Sequence, residues 1–462
     1  MRARKILLLI GILAIGATIE ATWRAREELG FGATGWRILS GEFHGPSHRF
    51  QTEEVRALSL PGVSVKNEFG SVRVVSGAAG ELRVRLEKRV YVGREVEAEE
   101  FARRVVLLFS EDGESVELRT NREELLAEPG ADVGFETALE IAVPLETAVR
   151  VSARHSDVDV TGVAALTAAT TDGRISANGI AGPVDVQNRD GAVDVIGVEG
   201  PVTVRNRHGD VLLERIAGSV DAHVLHGEVS GRELASLTLQ LRDGSLDLES
   251  LTGELQVRGS RARVSIKDAR GPVDVQTSYA PVSIEDAGAD VRLENRHGRA
   301  EVRRVAGALT AKLSDGDAEI EEIAGRVVLE VRDGEVRGRQ LEGGAALEVW
   351  DRRVELSAFA GRVEIRSRAA EVILLPELPI TDSVDVTSED GPIRLRVPAR
   401  SRFDLVAGSE GGRVDVELPD LVRGEGADGV VEGRVGGGGA AVSLRSRRGD
   451  VRVFSSEGSS GG

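Results

Sequence analysis

Three groups of side chains in this chain have types and spacings that could do chemistry. His208 and His226 stand 18 residues apart, each directly before a glycine, and stacked imidazoles are a minimal start for a divalent-metal site. The same pre-glycine position elsewhere carries Asp172, Asp190, Asp243, His297, Asp315, Asp333 and Asp351. Histidine and aspartate both tolerate the left-handed backbone of a tight turn, so their free exchange at one place reads as turn chemistry rather than ligation. One residue earlier lie Arg154, Arg189, Arg207, Arg242, Arg296, Arg332 and Arg368. Of these, Arg189, Arg207, Arg242, Arg296 and Arg332 are candidates for a ladder that presents guanidinium groups to an anionic polymer. The plainer reading, which we favour, pairs each arginine with carboxylates of the next turn.

Glu301 and Glu319 form the third group, within an outward column that runs Ser265, Ser283, Glu301, Glu319, Arg337, Glu355. Stacked one strand apart they would lie about 5 Å from each other, close to the separation of a retaining glycosidase pair. Arg337 stands beside the pair, and there is no adjacent third acid, no flanking aromatic platform for a sugar and no long loop to build a cleft, so a charge ladder is expected. The tripeptide Arg448-Gly449-Asp450, known from integrin ligands, falls where other repeats carry their turn glycine and is read as coincidence. No catalytic residue, cofactor site or metal site is assigned.

What positions these residues is a repeat of about 18 residues running from about residue 153 to 374. Ser156, Gly173, Gly191, Gly209, Gly227, Gly244, Ala262, Ala280, Gly298, Gly316, Gly334, Arg352 and Ala370 share one equivalent position, and the glycines among them form a structural turn ladder. A second series, including Gly182, Gly200, Gly218, Gly253, Gly271, Gly307, Gly325, Gly343 and Gly361, keeps the same step. In residues 182–199, Val184 and Val186 alternate with Asp185, a polar turn follows at Asn188-Arg189-Asp190-Gly191, and Val193 and Val195 alternate with Asp194. Period-two alternation marks strands with one buried face. Each repeat is therefore one coil with two short strands, and the fold class is an all-β, single-stranded parallel β-solenoid, right-handed by default. An antiparallel meander has no reason to hold every loop to one length. Aromatic content of 3% suits a narrow two-sheet core filled by Val, Leu, Ile and Ala.

A net charge of −17 without a basic block argues against nucleic acid, and the absence of cysteine removes disulfides and thiolate metal sites. Arg2, Arg4 and Lys5 precede an apolar run from Ile6 to Ile19, which reads as a signal peptide or uncleaved signal anchor over residues 1–23. Residues 24–54 read as a tether, and 55–150 as an N-terminal solenoid region with a short helical insertion near 95–106. Residues 151–374 form the regular array, 375–454 an irregular C-terminal β region, and 455–462 a disordered tail.

The exported N-terminus, the VxVxNxxGxVxV-like start, the central LEIAVP segment, the repeated GxVxVxxxxGxVxV units and the closing SLRSRRGDVRVF together resemble a bacterial envelope family. That family is built from β-strand repeats, has no established function and carries the label adhesin. The resemblance covers about residues 55–455 and rests on fold motifs. It implies an exported, non-catalytic scaffold, periplasmic or at the cell surface, with an envelope polysaccharide or a membrane protein as partner. The N-terminus would hold it to the inner membrane if the signal is uncleaved. An envelope-stress accessory protein and a polysaccharide-degrading enzyme are the alternatives.

Overall fold

The computed structural model describes residues 45–128, 133–424 and 428–455. The segment read as a signal or anchor, the tether up to residue 44 and the tail from residue 456 lie outside the described residues. The chain is about 68% strand and 4% helix, with parallel coils roughly 18 residues apart and about 14 turns in all. The β-solenoid is thus borne out, and the meander is not, because neighbouring coils pair in parallel, as in Val291↔Leu309 and Ala300↔Ala318. Two compact units divide the chain, Met1–Arg174 and Ile175–Gly462.

One coil of the second unit explains the rest. In Val291–Arg296, Val291, Leu293 and Asn295 point inward; in Ala300–Val305, Ala300, Val302 and Val305 do. Each buried aliphatic side chain contributes roughly 1.5–3 kcal/mol by leaving water, and each stacks on its counterpart one coil away. Two consecutive outward residues, Arg303 and Arg304, precede Val305, which strict alternation forbids. The answer is a bulge: Arg304 has φ of 53° and is skipped in the ladder, so Arg303 pairs with Glu321 and then Val305 with Ile323. The same left-handed residue recurs at Arg215, Glu233, Ser250, Asp268, Asp286, Glu322 and Gln340. The sequence pattern places only an apolar corner there.

The glycine ladder divides in two. Gly173, Gly191, Gly209 and Gly227 hold positive φ themselves, 122° at Gly209. After the 17-residue step to Gly244, the left-handed conformation moves back one residue, to Asp243, His297, Asp315 and Asp333. Aspartate and histidine are therefore turn-formers only in the later coils. There Gly316 is required by closeness instead, since a Cβ would lie 2.1 Å from the Gly298 carbonyl oxygen; Gly244, Gly298 and Gly334 meet the preceding coil in the same way.

Asn188, read as part of a polar turn, is buried, as are Asn206 and Asn295. Their amides reach turn carbonyls: Asn206 Nδ2 donates to Gly209 O at 2.8 Å and to Gly191 O at 3.2 Å, and Asn295 Nδ2 to Ala280 O at 3.0 Å. The position is inward by strand phase, and an amide there satisfies backbone oxygens that an aliphatic chain leaves alone.

At the C-terminal end the chain order and the stacking order part. Val384–Ser388 pairs with Ala440–Ser446, and Phe403–Ser409 packs on the far side of that same strand. The closing segment is therefore the penultimate coil. Over the outermost one, Val430–Val435 runs antiparallel to Phe403–Ser409 and to the short strand Leu421–Arg423. A three-residue edge strand is a poor template for further pairing.

In the first unit, β1 (His48–Ala57) runs antiparallel to β3 (Glu81–Tyr91), so pairing starts inside the segment read as a tether. Its residues are polar and mostly exposed; a backbone ladder, invisible to hydrophobic patterning, holds it. β2 (Gly62–Ser76) pairs in parallel with β4 (Ser115–Thr120), β5 (Gly134–Val143) and β6 (Ala148–Thr161). The expected helical insertion is α1 (Glu95–Arg104), and a second short helix, α2 (Arg122–Leu126), joins it. The interior holds two cations. Lys88 Nζ donates to Ala102 O at 2.9 Å near the end of α1, and burial lowers its pKa. Arg122 lies 4.4 Å from the ring centres of both Phe69 and Phe135 and donates to Phe135 O at 2.7 Å. Burial pulls its pKa down to about 10 against the pull of Glu68 and Glu136.

Candidate binding face

Each coil of the second unit ends its first strand with an outward residue just before the turn, and this is where strand alternation puts the arginine column. The column is not a continuous run of guanidinium groups. Arg296 and Arg332 are separated by Ser314, and Arg242 and Arg296 by Ser260 and Ser278. Arg154 reaches Glu68 of the adjacent coil at 3.9 Å, but the five candidate arginines do not pair with carboxylates of the next turn. Arg189 sits 3.4 Å from its neighbour Asp190; Arg332 meets Glu330 of its own strand at 3.0 Å and lies over Trp350 at 4.9 Å. Among the described residues, no ion pair engages Arg207, Arg242 or Arg296.

The turn ladder joins its members along the stack. His208 Nδ1 lies 2.8 Å from Asp190 Oδ1, the His208 and His226 rings are parallel with centres 5.2 Å apart, and His226 is 3.7 Å from Asp243. Tyr279, His297 and Asp315 repeat the motif, with ring centres 4.6 Å apart and a 3.0 Å ion pair. Among the described residues no group of three or more His, Asp or Glu could hold a metal ion. A further device was missed in the sequence: the aspartate after a turn glycine caps the next coil. Asp210 accepts from the Glu228 N–H and Asp317 from the Glu335 N–H, both at 2.9 Å. The Gly-Asp dipeptides at 209–210 and 316–317 were the available signal.

Glu301 and Glu319 are register partners, as expected, and two arginines lace them together. Arg299 lies 3.0 Å from Glu301 and also bonds Glu319; Arg303 reaches Glu319 at 3.0 Å and Glu321 at 3.6 Å. Hydrogen bonds from Arg299 and Arg303 hold the Glu319 carboxyl below the usual range, the opposite of what a general acid needs. In the Arg448-Gly449-Asp450 turn, Arg448 is bound by Asp390, and Asp450 accepts the Arg413 N–H at 2.8 Å.

Fold and faces define a class: a parallel β-solenoid whose surfaces are ladders of repeated side chains, an architecture compatible with a binding scaffold. Among the described residues no helix is long and apolar enough to cross a membrane. No family model matches the chain, and no curated protein does. Among solved structures, the crystal structure of a protein described as a "putative cell adhesion protein" from Clostridium sporogenes is similar. It is 8% identical, with 88% of this chain and 100% of that one covered and a TM-score of 0.14. Likeness at that level leaves the functional assignment to the geometry.

Proposed function

We propose that this chain is an exported, non-catalytic binding scaffold of the bacterial envelope, which holds a polysaccharide against the outward face of its first strands. The observation that carries the reading is the arginine column: Arg207, Arg242 and Arg296 project outward and are not consumed by ion pairs, and Arg242 and Arg296 stand beside the hydroxyls of Ser260, Ser278 and Ser314. Repetition at one coil per step suits weak, multivalent contact with a polymer that itself repeats. The binding of Glu301 and Glu319 by arginines speaks for a charge ladder there and against turnover.

The test is a pull-down of the full chain against envelope polysaccharides and membrane proteins, with product analysis of the polysaccharide. Saturable binding that weakens with salt and leaves polymer length unchanged is the expected result. Shortened polymer would overturn the non-catalytic reading. Capture of one membrane protein with no polymer bound would replace the scaffold by a regulatory accessory.

A further inference from the structure

The outward face of the first strands is not uniform. Between Arg242 and Arg296 it sinks into a depression of about 590 Å3. The column there reads Arg242, Ser260, Ser278, Arg296, so two hydroxyls stand where arginines bound the ends. The floor is also opened. Gly259 occupies the inward position filled by Leu241 in the preceding coil and Asn295 further on, and the ladder between these coils stops at Arg258↔Gln276. Pairing resumes through Ser278↔Arg296 in the next coil. Thr277 Oγ1 instead donates to Ala262 O at 3.3 Å.

The charge of this depression runs against that of the chain, whose net charge is −17. Arg242, Arg258 and Arg296 line it, and among the described residues no ion pair engages any of them. One acid, Glu294, also lines the depression, 3.9 Å from Arg292, and Asp243 beside it accepts from Arg261 Nη2 at 2.8 Å, so the lining holds three arginines against one carboxylate. Gln240 and Gln276 add amides to the lining. On the rim, directly after Ser278, Tyr279 is 62% exposed and stacks on His297.

We propose that this depression is the subsite for a carboxylated, uronic-acid-type segment of the polysaccharide, an assignment that rests on the scaffold reading above. Arg242 and Arg296 stand three coil steps apart, about 14 Å at roughly 4.8 Å per strand. That span suits a chain ligand carrying repeated carboxylates better than one small anion. Guanidinium groups take carboxylates in a planar, two-point contact, and a water-exposed hydroxyl and amide floor matches sugar hydroxyls. Tyr279 offers an apolar ring face with a polar tip at the edge of that floor.

The experiment is titration calorimetry of the full chain with a uronic-acid oligosaccharide, a neutral glucose oligosaccharide of equal length and inorganic polyphosphate. The uronic-acid ligand should bind and the neutral one at least about tenfold more weakly. The double variant Arg242→Ala/Arg296→Ala should lose about tenfold or more, and Tyr279→Ala several-fold, with unchanged melting. Arg337→Ala, on the second-strand face, should leave binding as it is. Undiminished uronate binding by the double variant would overturn the subsite while leaving the scaffold standing. Failure of the full chain to bind the uronic-acid ligand or any envelope polymer would remove both. Polyphosphate binding of equal strength with the same arginine dependence would overturn the carbohydrate assignment.

Discussion

The two units handle buried charge in opposite ways. The first places Lys88 and Arg122 inside, 4% and 2% exposed, while the buried polar residues of the second, such as Asn206, Thr277, Asn295 and Ser446, carry no charge. The reason is geometric. A regular coil presses every inward side chain against its counterparts in two neighbouring coils, leaving no room for the varied partners a buried ion requires. The first unit breaks the repeat with antiparallel strands and two helices, which widens its interior enough for Phe101 to meet Phe135 edge-on at 5.2 Å. Arg122 then fits between Phe69 and Phe135.

The largest effect is therefore expected from a single residue of the first unit. Arg122→Ala would empty the slot between two rings, orphan the Phe135 carbonyl and release Glu68, and should cost about 4 kcal/mol. Denaturant unfolding followed by amide exchange should show the loss concentrated in residues 45–174. A change under about 1 kcal/mol would mean that the aromatic residues alone hold this interior. In the second unit the matching insult is Ile320→Ala, expected to cost about 3 kcal/mol as a buried aliphatic truncation. Because each coil touches only its neighbours, exchange should quicken mainly in coils next to residue 320. Uniform loss across the unit would break the contrast between a keyed interior and a redundant one.

Smaller again is Asn295→Ala, which should cost about 1 kcal/mol by orphaning the Ala280 carbonyl. Asn295→Leu should cost less, because Leu241 and Leu313 occupy the equivalent inward place. A larger penalty for leucine than for alanine would show that the amide position differs in shape from its aliphatic equivalents.

The same comparison sets what was legible. The second unit could be read from glycine spacing and valine alternation because one coil repeats many times, and the arginine column followed from strand phase. The bulge at Arg304 and its equivalents could not, since in this unit only Gly179 and Gly197 are of the type that signals a left-handed backbone and the later coils place Arg, Glu, Ser, Asp, Gln or Ala there. The burial of Asn295 hid behind its polarity, and the depression at Ser260 and Ser278 arises from small residues, which attract no notice until their neighbours are placed. In the first unit, β1 was missed because its partners lie more than 20 residues away and its side chains are polar. Arg122 reads in sequence as one more surface arginine; only the rings of Phe69 and Phe135, distant along the chain, make it a core residue.

The mildest expected effect is a pH dependence of the second unit. On the second unit, Arg261, Arg304 and Arg448 hold Asp243, Asp286 and Asp390 below the usual carboxylate range, and Lys312 does the same for Glu330. A depressed carboxyl binds fewer protons folded than unfolded, so its stabilisation is complete above the unfolded pKa, about 4, and is lost as pH falls through the folded value. Exposure and salt screening keep each contribution small. The melting midpoint should therefore fall between pH 5 and pH 3 at low salt, roughly the window of acid titration, and fall less at high salt. Glu319→Gln should flatten part of that slope, because Arg299 and Arg303 would lose the charge they hold in place. If the midpoint of the second unit ignores both pH and salt in this window, its charge ladders set solubility and binding, and the aliphatic stack alone carries its stability.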